Sequence, residues 1–450
     1  MIKPQKIIVV GGNAAGPAAA AKAKRVNPSA HVMLFEAGNF ISTGTCEIPY
    51  VLSGDVKDYE EIVFFSPEKF KAEKGADVFI NHRVEEINTK RKCIKVKDSL
   101  NDKYLDYDYD NLILATGSVP NKIPSLSTTL TNVFNLTSIK DLIEIETFLK
   151  TNRVKNIAVI GSGFIGLEAA DALNQKGYNV TIIEKNKLPL PYTEPEMQHL
   201  VLEQIKNKNI PFYGEFTDMK VNYDQNKVLS LNIDGRILEF DMIIVSVGFS
   251  PNVSLALQAN LETGEYGGIK IDTKLKTSDP NIYAAGDNVE VLNGVTNTSD
   301  YLPFASLAHE YGHAAGENAA GGNAVVEPVI KNSGIKIFDK FLVDVGITSE
   351  KAQTNSILFD SIYDEAFNLV KVMPGNEKIY GKIIFEEKSK RILGASFFGG
   401  KEVAGFGDII SALIKLKQPV DFLGGINYNY SPPLSPFKNL LSKLGRKAVK

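Results

Sequence analysis

Cysteine is nearly absent: the 450 residues carry only Cys46 and Cys93, too few for a disulfide framework to hold the fold together. Long apolar runs are missing as well. The opening MIKPQKIIVVGG has an apolar stretch of only Ile7 to Val10, shorter than a signal-peptide core, and no later stretch reaches the length of a bilayer span. Nor does one sign of charge prevail. The 50 basic and 53 acidic residues leave a formal charge of -3, which gives no overall pull towards nucleic acid or a membrane surface. These absences point to a cytoplasmic chain that binds neither. One local exception is the basic tail with Lys438, Lys443, Arg446, Lys447 and Lys450, read as a solvated terminus.

What is present is a globular composition, 44% hydrophobic and 23% charged, in a chain long enough for roughly two to four domains. Two segments repeat one plan. KIIVVGGNAAGPAAAAKAKR is followed by HVMLFE, ending at Glu36; NIAVIGSGFIGLEAADALNQKG is followed by NVTIIE, ending at Glu184. Each reads as a buried strand, a glycine turn, an alanine-rich helix and a second buried strand closed by an acid. That is the βαβ unit of a dinucleotide-binding fold. In the second unit Gly161 allows the tight turn, Gly163 admits a pyrophosphate, and Gly166 lets helix and strand pack closely. The pyrophosphate then faces the positive end of the helix. Glu184 is placed for the adenine ribose hydroxyls, which favours NADH, while Lys185 and Lys187 leave NADPH open. The first turn is Gly11-Gly12-Asn13-Ala14-Ala15-Gly16. Asn13 stands where a glycine is usual, and asparagine tolerates strained backbone better than most residues. Two different dinucleotides are implied, a nicotinamide to deliver hydride and a flavin to receive it. Apolar strands at 111–117 and 241–248 accompany the two units, and NIYAAGDN at 281–288 runs into a Gly-Asp turn. From about residue 328, KIYGKIIFEE, RILGASFFGG and the helix-like GDIISALIKL predict a third domain without a nucleotide motif.

With Ala115-Thr116-Gly117, the turn Ala284 to Asp287 and the doubled unit, the chain resembles the pyridine nucleotide-disulfide oxidoreductases over essentially its whole length. The resemblance implies an α/β fold with two Rossmann-like dinucleotide-binding domains and a C-terminal α+β dimerisation domain. The FAD-binding domain would be discontinuous, 1–120 and 245–327, around an NAD(P)-binding domain at 121–244. Residues 328–450 would make a homodimer. FAD would meet Gly11, Gly12, Gly16, Glu36, Ala115, Thr116, Gly117 and Asp287, with Ala305 on a helix passing beneath the flavin. NADH would meet Gly161, Gly163, Gly166 and Glu184. Phe164 would be an aromatic gate over the flavin and Glu168 would lie near its N5 edge.

The stretch FISTGTCEIPYVLSG holds Cys46 alone. This resembles the single-cysteine branch, which includes coenzyme A-disulfide reductase, NADH peroxidase and NADH oxidase. Such enzymes cycle one cysteine between thiolate and a sulfenic acid or mixed disulfide. A helix from Ile48 onwards would stabilise the thiolate at its head. Ser42 and Thr45 flank Cys46 and are assigned to the substrate, whereas Cys93 carries no motif and is expected to be inert. Peroxidase and oxidase members place a histidine where this chain has Ala14, which disfavours peroxide chemistry. Coenzyme A-type members use a basic residue matched by Arg25 and a tyrosine before a Pro-Pro pair matched by Tyr430, with Tyr428 nearby. Departures are Thr45 and Glu47 beside the cysteine, and Val372-Met373-Pro374-Gly375 in place of a tyrosine-bearing interface turn. Glu47 should raise the thiol pKa if it points inward. His309 and His313 stand at i, i+4 without a third ligand, so no metal is expected. The reading is an FAD-dependent NAD(P)H reductase of a low-molecular-weight disulfide, persulfide or polysulfide, such as coenzyme A disulfide. The alternatives are an NADH oxidase and a redox-sensing flavoprotein without turnover.

Overall fold

The structure, a computed structural model, describes residues 3–448. Lys6–Val10 is the central strand of a five-stranded parallel sheet. Asn111–Leu114 and His31–Phe35 flank it, and Ile282–Ala284 and Asp77–Phe79 form the edges. Both faces of such a sheet are covered, so its strands must be apolar throughout. Ile7, Ile8 and Val9 are fully buried, each contributing roughly 1.5–3 kcal/mol of hydrophobic burial. A second parallel sheet repeats the plan in the order Val133–Phe134, Met242–Val245, Asn156–Ile160, Asn179–Ile183, Phe212–Tyr213. Each sheet is accompanied by a three-stranded antiparallel sheet, at His82–Asp108 and at Met219–Glu239 respectively. The chain leaves the first unit and returns to it through two paired strands, Ser118–Pro120 and Phe249–Pro251. A five-stranded antiparallel sheet with the helix Val403–Lys415 forms the C-terminal region. The architecture is therefore α/β, with two dinucleotide-type units and a further α+β layer.

Two helices in the first unit approach unusually closely, Ala15–Val26 and Ala305–Ala319. A Cβ on Gly312 would stand 2.3 Å from the carbonyl oxygen of Ala15, and one on Gly316 would stand 2.1 Å from that of Ala19. Only glycine fits such contacts in a close-packed interior. Gly316→Ala is therefore expected to lower stability by about 2 kcal/mol. A denaturant midpoint that does not move would show that the helices are free to separate.

The second unit rests on the C-terminal sheet through a buried polar seam. Lys382 meets Glu194 at 2.7 Å and Glu196 at 2.9 Å, while Glu194 accepts from the Ser349 amide at 2.6 Å. Asp344 accepts from Thr193 Oγ1 at 2.7 Å and from the Ser396 hydroxyl. Ile335, Ile337, Phe338 and Phe398 also join the core of the second unit.

The basic tail differs from its reading as a solvated terminus. Leu440–Lys447 is a helix whose Leu440, Leu441 and Leu444 are fully buried. Lys443 and Lys447 turn outward to Asp364 at 2.9 and 3.5 Å. The cations hid an apolar face that shares their helix; Lys450 lies outside the described residues. Among the described residues no helix is long and apolar enough to cross a membrane.

Candidate active site

The first glycine turn is built by close approach. Gly11 sits at φ +109°, and a Cβ there would lie 2.0 Å from the Ala115 carbonyl oxygen, so no other residue fits. Glu36 braces the turn, accepting from the Gly12 amide at 2.7 Å and the Gly38 amide at 2.6 Å. A carboxylate has about four lone-pair positions, which leaves capacity for ribose hydroxyls. Asn13 does not serve as a strain-tolerant substitute for glycine. Its φ is not positive, and its Oδ1 accepts from Thr43 Oγ1 at 2.8 Å. That bond, with Ser42 N donating to the Gly12 carbonyl at 2.7 Å, fastens the cysteine loop to the glycine turn. Gly16 packs against the Gly11 carbonyl, 1.8 Å from where a Cβ would stand.

Thr116 Oγ1 donates to the Asn252 carbonyl at 2.6 Å and accepts from Asn288 Nδ2 at 3.0 Å. Gly117 takes φ +68°. Asp287 accepts from Ser118 Oγ at 3.4 Å, and burial pushes its carboxyl above the ordinary value. Asn288 Oδ1 is buried with no partner among the described residues. The helices Ala15–Val26, Phe164–Gln175 and Ala305–Ala319 all begin without a side-chain cap or an acid in the first turn. By contrast, Ser66 and Ser138 cap Pro67–Lys74 and Ile139–Thr151. Uncapped amides, a half-used Glu36 and an orphan Asn288 oxygen fit a dinucleotide laid across the strand ends. Ala305 stands at the exposed head of its helix.

The second turn repeats the first: Gly161 takes φ +97°, and a Cβ on Gly166 would come within 2.0 Å of the Gly161 carbonyl oxygen. Gly163 caps the helix without a side chain. Its acid is placed differently. Glu184 is buried and accepts four hydrogen bonds, from Ser162 N and Oγ and from Asn186 N and Nδ2, at 2.7–2.9 Å. It therefore braces the turn with every lone pair engaged, and a ribose would have to displace Ser162 Oγ or the Asn186 amide. Phe164 opens the helix, half-buried against the second core. Glu168, one turn further on, is pushed up to about 7 by burial and then by Asp171.

Cys46 lies on a single turn, Thr45–Glu47, that runs directly into Ile48–Ser53. Ser42 enters this loop at φ +50°, a strained conformation for a residue with a Cβ. Cys46 is exposed, whereas Cys93 is buried in a strand. The helix was expected to hold the thiol down, but the polypeptide does the reverse. Although the residue reaches solvent, partial desolvation of the sulfur raises its pKa, and Glu47, Glu168 and Asp287 add to the effect. A helix of one and a half turns has too small a dipole to offset three carboxylates. Glu47 folds back over Gly44, where a Cβ would meet its Oε2 at 2.5 Å. The thiol thus feels a carboxylate from each nucleotide unit, Asp287 of one and Glu168 of the other.

Tyr430 is exposed, edge-on to Phe437 with centroids 5.5 Å apart. Tyr428 is held by its own chain, its hydroxyl donating to the Leu423 carbonyl at 3.1 Å. Arg25, also exposed, donates to His313 Nδ1 at 3.1 Å, a contact between distant segments that no local motif announces. Among the described residues no cluster of three or more His, Cys, Asp or Glu side chains could hold a metal.

This geometry agrees with the comparisons. The family model described as pyridine nucleotide-disulphide oxidoreductase matches residues 5–311. A Methanocaldococcus jannaschii protein named NADH oxidase is 31% identical over 99% of both chains. A Pyrococcus furiosus protein named NAD(P)H sulfur oxidoreductase (CoA-dependent) is 29% identical, again over 99% of both. The solved structure of a NAD-dependent persulfide reductase from A. fulgidus superimposes with a TM-score of 0.95 at 31% identity, covering 99% of this chain and 83% of that one. The chain belongs to the pyridine nucleotide-disulphide oxidoreductases and is an FAD-dependent NAD(P)H disulfide oxidoreductase.

Proposed function

We propose that the enzyme reduces a low-molecular-weight disulfide, persulfide or polysulfide of coenzyme A type, as a homodimer, through Cys46 alone. The observation that carries this reading is the placement of the two cysteines. Cys46 is exposed on a loop tied to the first glycine turn, while Cys93 is buried in a separate sheet. In this reading residues 1–120 with 245–327 hold FAD, 121–244 hold NADH or NADPH, and 328–450 meet the partner subunit. The exposed Tyr430, Leu434 and Phe437 form the surface to be covered. The names of the Pyrococcus furiosus and A. fulgidus relatives support the sulfur acceptor.

The FAD held by the first unit would supply two-electron transfer from NAD(P)H to sulfur. The chain supplies the rest. The Cys46 thiolate attacks one sulfur of the acceptor, forming a mixed disulfide and breaking the S–S bond. Tyr430, facing the partner subunit's Cys46, protonates the departing thiolate. Two electrons and a second proton then reduce the mixed disulfide, returning the Cys46 thiolate and releasing the second thiol. Ser42 and Thr45 orient the acceptor and Arg25 attracts its anionic end. Phe164 would cover the flavin site until nicotinamide enters, and Glu168 would lie beside that site. The Methanocaldococcus jannaschii relative favours a second reading, an NADH oxidase.

Steady-state NADH oxidation separates the readings. Turnover that requires coenzyme A disulfide or polysulfide is the expected result. Equal turnover with air alone would establish the oxidase, and no turnover with any acceptor would leave a redox-sensing flavoprotein. The intact mass of freshly denatured protein adds a check, because a thiol adduct on Cys46 marks the mixed disulfide.

A further inference from the structure

Thr45–Glu47 and Ile48–Ser53 form one continuous helical run, so Tyr50, four residues after Cys46, shares its face. Side chains on a helix lean back over the preceding turn, here the turn that carries Cys46, and the phenol feels the charge of that sulfur. The same short helix packs on Phe164–Gln175. Between the two lies a polar crevice of about 10 Å³, room for roughly one water. Tyr50, Ser53 and Asp55 line it from one side. Glu168, Asp171 and Gln175, on one face of the longer helix, line it from the other, and Lys336 reaches it from the C-terminal sheet. Asp55 and Gln175 are exposed, so the crevice has its mouth there.

Most polar groups of the crevice already have partners. Asp171 accepts from Gln175 Nε2 at 2.9 Å and faces Lys336 at 3.9 Å. Ser53 Oγ lies 3.0 Å from both the Tyr50 carbonyl oxygen and Asp55 Oδ2. Two groups are left over. Among the described residues neither the Tyr50 hydroxyl nor the Glu168 carboxyl makes a hydrogen bond, and both are half-buried. Withdrawn polar groups are costly without a partner, and a single water in the crevice serves both. The charges around them are known from every wall: Asp171 beside Glu168, Asp55 beyond Tyr50, Glu47 and Asp287 towards the sulfur, and Lys336 already engaged by Asp171. Burial, then Asp171, pushes Glu168 up to about 7. Burial, then Glu168, Asp171, Asp55 and Cys46, raises Tyr50 above the ordinary phenol value.

We infer that Glu168 and Tyr50 carry the second proton of turnover from the crevice to the thiolate that leaves Cys46. The inference rests on the sulfur-reductase reading, which leaves that proton without a donor. The mixed disulfide takes two electrons, which originate in NAD(P)H, and its S–S bond breaks into the Cys46 thiolate and the substrate thiolate. The Tyr50 hydroxyl gives its proton to the substrate thiolate and takes one from the crevice water. The Glu168 carboxyl restores the water, and solvent at the mouth restores Glu168. One proton enters and one thiol leaves. Tyrosine alone would release its proton uphill, because a phenolate is more basic than a thiolate of pKa about 8.5. A carboxyl at about 7 behind it makes the whole transfer downhill, yet it is still protonated in part at neutral pH.

The test is a single turnover. Cys46 of the FAD-loaded enzyme is converted to a mixed disulfide with hydroxyethyl disulfide, a small uncharged probe, and saturating NADH is added without air. Rapid quenching follows thiol release between about pH 5.5 and 8.5. In the wild type the rate is expected to fall above about pH 7, approaching about tenfold per unit, as the Glu168 carboxyl ionises. Glu168→Gln and Tyr50→Phe each lose about 10²-fold at the acid end and no longer respond to pH. The double variant loses no more than either one, because the pair acts as a unit. Infrared spectra read the donor without turnover: a carboxylic-acid C=O band that titrates near about pH 7 is expected in the wild type and in Tyr50→Phe and is absent from Glu168→Gln. Variants that keep the wild-type pH profile, losses that add in the double variant, or a missing band in the wild type each overturn the proposal. A wild-type mixed disulfide that NADH leaves intact overturns the sulfur-reductase reading and the relay together, and that result stands apart because it is read before any variant is compared.

Discussion

Cys46→Ser is expected to lower kcat with a disulfide or polysulfide acceptor by about 10⁴-fold or more, while the protein stays yellow and is still bleached by NADH. A serine hydroxyl is not ionised near neutral pH and forms no bond to sulfur that NADH-derived electrons can later break. No other group can take its place: Cys93 is buried in the strand Cys93–Asp98, away from the loop fastened to Asn13. The same variant divides the chemistry. In the proposed assignment hydride delivery depends on the second glycine turn, which the substitution does not touch, so anaerobic reduction by NADH should keep its rate. Stopped-flow reduction followed by steady-state assay with each acceptor measures the two halves separately. A variant that retained its disulfide-dependent rate would remove Cys46 from the mechanism and move the acceptor to the flavin itself, as in an oxidase.

The two nucleotide units were legible because their signals are local. A buried parallel strand, a glycine turn and an alanine-rich helix are written in about thirty consecutive residues. The antiparallel C-terminal sheet was also legible as strand-like runs, although its register was not. What escaped depends on contacts between distant segments. Asn13 looked like a tolerated exception to a glycine pattern, and only its bond to Thr43 shows that it anchors the cysteine loop. Glu184 carried the expected acid at the expected place, yet Ser162 and Asn186 occupy its oxygens. The tail escapes because cations dominate its composition while Leu440, Leu441 and Leu444 are buried. Likewise the electrostatics of Cys46 followed from three carboxylates, only one of them adjacent in the chain.

One of these carboxylates is Glu168, and Glu168→Gln is expected to stabilise the purified protein above neutral pH by up to about 3 kcal/mol. Burial, aided by Asp171, pushes the Glu168 carboxyl from the ordinary 4.5 up to about 7. Among the described residues it has no salt-bridge partner; Lys336, on the same wall, goes to Asp171 at 3.9 Å. A carboxyl with a raised pKa in the folded state favours folding fully below pH 4.5, where both states are protonated. Its contribution is then lost as pH climbs towards 7, because the unfolded chain ionises first. Glutamine keeps the shape and cannot ionise, so the gap between variant and wild type should open across that window and then stay constant. Denaturant unfolding at a series of pH values measures the gap directly. The same charge raises the pKa of Cys46 and of Tyr50, so the variant should also hold more thiolate at a given pH, seen as faster alkylation of Cys46. A stability gap that does not change with pH would mean that Glu168 is ionised and solvated, and that the wall between the nucleotide units is open to water.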